Sequence, residues 1–154
     1  MPYWRLFYHL VWATRGREAI LLGEVEATVH RVIRQLGVEL GVDMLAIGNL
    51  PDHIHVVASI PPRHAVSDVM KLVKGRSSYA ASHDGVGRRT PNFGWQSEYG
   101  VLSFGERALP KVVTYVESQR ERHARNDTWR KLELIESEQA DAPTNHSPER
   151  TSPS

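Results

Sequence analysis

The 154-residue chain carries 19 Lys and Arg against 18 Asp and Glu, with eight His and no Cys. At 40% hydrophobic and 24% charged residues it is composed like a globular domain, and its length suits one domain with its own core. The absence of Cys excludes disulfides, thiolate zinc sites, iron–sulfur clusters and thiol nucleophiles, so any chemistry must run on His, Tyr, Ser, Lys or carboxylates.

Residues Tyr3 to Thr14 are rich in aromatic and β-branched side chains and lack turn formers, which predicts a strand. Leu6, Tyr8, Leu10 and Trp12 fall on one face, with Phe7, His9 and Val11 on the other. Both faces are largely apolar, as in a central strand covered on both sides. From Leu21 to Leu40, Val25, Val29, Val32, Ile33, Leu36 and Leu40 recur at helical spacing, and Gly41 is a stop. Val42–Leu50 and His53–Ile60 read as two strands joined by a tight Pro51-Asp52 connection, hence a hairpin that Pro61-Pro62 ends.

A second helix is expected from Val66 to about Ala81, with Val66, Val69, Met70 and Val73 on its apolar face. Ser82–Asn92 reads as a loop, and Phe93–Phe104 as a fourth strand kinked at Gly100. Pro110 suits the first turn of a third helix running to about Arg125. The expected domain covers residues 1–130, followed by an acidic, Pro- and Ser-rich tail over 131–154 that is expected to be partly disordered, from beyond Glu136.

The order β-α-β-β-α-β with an added C-terminal helix predicts an α+β, ferredoxin-like fold. Its first and third strands are central, and two helices cover one face. Such a fold hosts nucleic-acid binders, small-molecule binders and nucleases, so it does not decide function. Charge is uneven along the chain: residues 1–62 carry a net −1, residues 63–130 a net +5, and residues 131–154 a net −3. A basic middle masked by an acidic end suits a polyanionic partner, and equally a solvated charged surface. No apolar run of about 18 residues and no secretion-type leader is present, so a cytoplasmic location without a membrane span is expected.

Within the third strand, His53 and His55 are two apart and so point to one face, away from Ile54, Val56, Ala58 and Ile60. The imidazoles then project onto the face the helices leave open. Paired there on a rigid strand, they form either half of a metal site or two histidines with ordinary hydrogen-bond partners. On the last helix Tyr115 and Gln119 share a face one turn apart, and His123 follows a turn later. A Gln carbonyl can serve a hard cation as a neutral oxygen ligand, and a neighbouring Tyr could act on what that cation polarises. Each residue also has an ordinary reading, Tyr115 as a packed aromatic, Gln119 as solvated and His123 as a cation favoured at a helix C-terminus.

Taken together, these elements give the chain a resemblance to the single-tyrosine HUH transposases of bacterial and archaeal insertion sequences (the IS200-like family) and to REP-associated tyrosine transposases. The resemblance runs from Tyr8 to about His123. It includes Tyr8-His9-Leu10-Val11-Trp12-Ala13-Thr14, Leu50-Pro51-Asp52-His53-Ile54-His55, the Ser67–Ser78 block, Phe93–Gly100 and Tyr115-Val116-Glu117-Ser118-Gln119. It implies metal-dependent cleavage and rejoining of single-stranded DNA at hairpin-containing ends, with Tyr115 as nucleophile forming a 5′-phosphotyrosine. His53, His55 and Gln119 would hold one divalent ion, Mg²⁺ or Mn²⁺, and the protein would be a homodimer. Lys71, Lys74, Arg76, Arg88 and Arg89 become candidate contacts to DNA.

Two alternatives stay open at this point. One is a domesticated relative acting on chromosomal repeat hairpins; the other is a non-catalytic ferredoxin-like module that binds nucleic acid. No Gly-x-Ser-x-Gly supports a serine hydrolase, and no His-Glu-x-x-His a zinc peptidase.

Overall fold

The computed structural model describes residues 2–83 and 92–135. Four strands, β1 (Phe7–Ala13), β2 (Asp43–Leu50), β3 (His53–Ser59) and β4 (Gly100–Phe104), form an antiparallel sheet in the order β2-β3-β1-β4. With α1 (Gly23–Leu40) and α2 (Val66–His83) interleaved, this is the ferredoxin-like arrangement, and β1 and β3 are its central pair. Three short helices follow: α3 (Leu109–Glu117), α4 (Gln119–Ala124) and α5 (Arg130–Glu133).

Strand alternation sorts the sheet into two faces. Leu10 and Trp12 of β1 pair in register with Val56 and Ile54 of β3. Together with Ala58 they pack against Val25, Val29, Ile33 and Leu36 of α1 and Val69, Met70 and Val73 of α2. The opposite parity places His9, Val11 and Ala13 beside Val57, His55 and His53. On that face Val57 and Ala46 pack with Val112, Tyr115 and Val116 of α3 and with Leu132. Ile135 covers Val11 and Ala13.

Two glycines permit close approach on this second face. A Cβ on Gly48 of β2 would lie 1.8 Å from the Val116 carbonyl oxygen, so α3 rests directly on that strand's backbone. A Cβ on Gly100 would lie 1.9 Å from the Leu134 carbonyl oxygen, where the C-terminal segment crosses β4.

Several expected elements differ in extent. The first strand begins at Phe7 rather than Tyr3. The expected Phe93–Phe104 strand forms a ladder only over Gly100–Phe104. Its aromatic start instead turns inward: Trp95 makes a single bridge to Thr14, meets Trp12 and Phe93 edge-on, and donates its indole N–H to Ser77 Oγ at 2.9 Å. The expected single helix to Arg125 breaks at Ser118 (φ −108°, ψ 26°), whose hydroxyl bonds back to the Thr114 carbonyl at 2.6 Å.

Residues 131–135, assigned by sequence to the tail, pack on the sheet through Leu132 and Ile135. The rest of the expected tail, 136–154, lies outside the described residues. Among the described residues no helix is long and apolar enough to cross a membrane.

Candidate metal centre and tyrosine

His53 and His55 stand side by side on β3 with ring centroids 5.1 Å apart, His55 fully buried and His53 4% exposed. Both rings are oriented from behind. His53 Nδ1 lies 2.7 Å from Asp52 Oδ1, and His55 Nδ1 lies 2.8 Å from His9 Nε2. Each therefore turns Nε2 toward the face that α3 and the segment after it cover, rather than the open face expected from the sequence, as outer hydrogen bonds orient metal-ligating histidines. Both Nε2 atoms are buried without a hydrogen-bond partner, although each lies 3.3 Å from Glu133 Oε2, a separation without hydrogen-bond alignment.

His123 of α4 joins them: its Nε2 is 3.2 Å from Glu133 Oε1 and 3.2 Å from Gln119 Oε1. One ligand atom from each of His53, His55, His123 and Glu133 falls within 4.8 Å of all the others. Orphaned imidazole nitrogens converging on a carboxylate are a donor set that fits a divalent cation.

The electrostatics agree with that fit. Burial disfavours a charge on His53, yet the carboxylates of Glu133 and Asp52 overcome it and raise its pKa. The field that holds a proton there would equally favour a cation. For His55, burial prevails and lowers the pKa despite Glu133. His9, also buried and facing His55, is lowered to about 3 and stays neutral. Burial would raise Glu133, but the adjacent imidazoles of His53 and His55 reverse that and hold its carboxyl well below the usual range.

Tyr115 lies beside this cluster, its ring fully buried and 6.0 Å from that of His55. Its hydroxyl donates to Glu133 Oε1 at 2.5 Å and accepts the Trp129 backbone N–H at 3.0 Å. The Trp129 ring stacks on it at 4.9 Å, and Arg122 Cζ is 5.0 Å from its centroid. Burial first, and then the bond to Glu133, push the phenol pKa above its ordinary value. Gln119 is buried one turn on and donates from Nε2 to the Tyr115 carbonyl at 2.8 Å.

The fold thus gathers His53, His55, Tyr115 and Gln119 on one face. It does not bring the basic candidates of α2 to that place, because α2 packs on the opposite face. Lys71 is exposed there. The Lys74 ammonium donates to the carbonyls of Gln96, Ser97 and Glu98, and Arg76 pairs with Glu39. Arg88 and Arg89 lie outside the described residues.

Sequence reasoning missed Glu133 and the supporting role of His9. The apolar run Leu132, Leu134, Ile135 was the available signal that residues 131–135 pack. His9 meets His55 only through the β1–β3 register, which spacing along the chain does not give.

Fold and cluster define the class: a ferredoxin-like α+β domain carrying a candidate metal centre beside a tyrosine. Residues 2–119 match the family described as transposase, IS200-like, and the chain belongs to that family. It is 27% identical over 122 residues to the ISDra2 transposase TnpA of Deinococcus radiodurans, covering 77% of this chain and 87% of the relative. It is 36% identical over 75 residues to the transposase for insertion sequence element IS200 of Salmonella typhimurium, covering 49% of each chain. In fold it resembles a REP-associated tyrosine transposase solved bound to a REP hairpin (TM-score 0.61, 17% identity, 80% of this chain and 74% of that one).

Proposed function

We propose that the protein cleaves and rejoins single-stranded DNA, with Tyr115 as nucleophile and His53, His55 and Gln119 holding Mg²⁺ or Mn²⁺. One observation carries this reading: the Tyr115 hydroxyl and the two orphaned Nε2 atoms converge on the two oxygens of a single carboxylate, at 2.5 Å and 3.3 Å. An anionic group in that position touches the nucleophile and the cation donors together. A phosphodiester is such a group.

Tyr115 Oη attacks phosphorus, the Oη–P bond forms and the P–O3′ bond breaks. The phenol gives up its proton, and the departing 3′ oxygen takes one up. The products are a 5′-phosphotyrosine and a free 3′-hydroxyl; because one ester replaces another, the reverse step joins strands without ATP. A divalent cation, when bound, would withdraw charge from the phosphate oxygens. The protein's own part is orientation. Asp52 and His9 fix the two imidazoles, and Gln119 is tied to the tyrosine's own turn. An unperturbed tyrosine has a pKa of about 10, so correct placement must supply much of the rate.

Hairpin-bearing DNA is the proposed substrate, in keeping with the REP hairpin held by the similar fold. Lys71, Arg76, Arg88 and Arg89 are proposed phosphate contacts. A homodimer is part of the same proposal, although one chain already places its Tyr115 against its own His pair; analytical ultracentrifugation tests it. To test the reaction, the protein is incubated with Mg²⁺ or Mn²⁺ and hairpin-bearing single-stranded DNA. A denaturation-resistant protein–DNA adduct is expected, and its absence in the Tyr115→Phe variant.

A further inference from the structure

Two sequence blocks that carry the family resemblance, Ser67–Ser78 and Phe93–Gly100, contribute no ligand to the candidate metal centre. Their contacts lead instead to the 3-10 turn Arg15–Arg17 that follows β1. Trp95 donates to Ser77 Oγ, and the Lys74 ammonium donates to the carbonyls of Gln96, Ser97 and Glu98. Held in this way, the second block offers the Gly94 carbonyl to the Arg15 backbone N–H at 2.9 Å. Gly94 has no side chain where the Arg15 guanidinium lies; a Cβ there would be 2.5 Å from Arg15 Nη2.

The same turn is tied to the centre. Ala13 faces His53 in the β1–β3 register, and the turn begins two residues further on. The buried Thr14 gives its backbone N–H to the Asp52 carbonyl at 2.9 Å, and its hydroxyl lies 3.1 Å from that oxygen. Asp52 divides its carboxylate between the two parts: Oδ1 holds His53 Nδ1 at 2.7 Å, and Oδ2 lies 3.5 Å from Arg17 Nη1. Gly16 and Arg17 are both left-handed, with φ of 64° and 56°. A bulky residue rarely takes that conformation, and such strain gathers at functional positions. Both arginines are exposed, and among the described residues no acidic group pairs with Arg15.

We infer that the Arg15–Arg17 turn binds the phosphate backbone of single-stranded DNA beside the scissile position, each guanidinium taking one phosphate. The inference rests on the reading of the His53–His55 centre as the place of strand cleavage. A strand that leaves this centre past His53 meets the turn, and its charge is opposite to that of the two arginines. A guanidinium presents paired donors that match two phosphate oxygens, and such contacts position a strand without reading its sequence. The basic residues of α2 are less suited to this task. Lys74 and Arg76 already have partners, and α2 packs on the other face of the sheet.

The test uses full-length protein with Arg15→Gln, Arg17→Gln, Arg17→Lys and the double Gln variant. Arg63→Gln, beyond the opposite end of β3, is the control. Folding is checked by circular dichroism melting. Binding of fluorescein-labelled oligothymidine is followed by anisotropy in EDTA across a salt series, so that neither metal nor chemistry enters. Each Gln variant should flatten the slope of log affinity against log salt by about 0.7, and the double variant by about 1.4. Arg17→Lys and Arg63→Gln should keep the wild-type slope. Adduct formation is then measured with hairpin-bearing single-stranded DNA and Mn²⁺. In the double variant the DNA concentration for half-maximal rate should rise about tenfold, the loss of one charge-assisted hydrogen bond, at a little-changed maximal rate.

Unchanged salt slopes in both folded Gln variants would overturn the inference. So would a lower maximal adduct rate at an unchanged half-maximal DNA concentration, which would make Arg17 only a brace for Asp52. Normal adduct formation with unchanged slopes removes the phosphate site and keeps the catalytic reading. Flattened slopes where even the wild type forms no adduct keep the phosphate site and instead remove the catalytic reading.

Discussion

The two faces of one sheet make opposite use of the same strand alternation. Toward α1 and α2, β1 and β3 present Leu10, Trp12, Ile54, Val56 and Ala58, and the result is a continuous apolar core. Toward α3–α5 the very next residues are His9, His53 and His55, and apolar packing there is split into two smaller clusters around a polar centre. The first face provides stiffness. The second uses that stiffness to hold three buried imidazoles at fixed separations, which a flexible loop would not do.

Substitutions can break this division from either side. The largest effect is expected from Tyr115→Phe, which should remove adduct formation completely while the fold persists, because the ring that packs with Val112 and Val116 is kept. Ile54→Ala sits between the two histidines in sequence but points to the other face. It should cost about 2–5 kcal/mol of unfolding free energy, measured by urea denaturation, in the way of large-to-small changes in packed cores.

A subtler break comes from pH. His9 keeps its neutral form down to about 3, whereas in the unfolded chain it accepts a proton near 6.5. Between those values the unfolded state binds the extra proton, so this residue makes stability fall as pH drops from about 6.5 toward 3. His53 acts in the opposite sense, its raised pKa contributing stability below about 6.5 that is lost as pH climbs through its folded value. A His9→Gln variant should therefore show a shallower loss of unfolding free energy on acidification than wild type. The smallest effect is expected for Arg120→Ala. Its exposed pair with Glu26 at 2.9 Å lies off both faces and should contribute under about 1 kcal/mol in the same denaturation assay.

How much of this was legible in the sequence follows the same division. Helical spacing and β alternation report on apolar burial, so α1, α2, β2 and β3 were readable to within a few residues, and His53 and His55 were placed on the correct face. Phe93 and Trp95 misled because aromatic residues signal burial in a strand or in an inward-turning loop alike; here they fill the core beside Trp12 without forming a ladder. The break at Ser118 arises where a hydroxyl competes for the Thr114 carbonyl, which periodicity does not register. Glu133 reaches the site across a non-repeating connection after α4, and no spacing rule links it to a histidine 80 residues earlier.

The central claim is that the buried His pair and Tyr115 act as one unit on DNA. Its most direct test is peptide mapping, by tandem mass spectrometry, of the adduct formed with single-stranded hairpin DNA and Mn²⁺. The nucleotide should be found on Tyr115 in the wild type, with no adduct in the His55→Ala variant. Attachment to any other residue, or an undiminished adduct in His55→Ala, would contradict it.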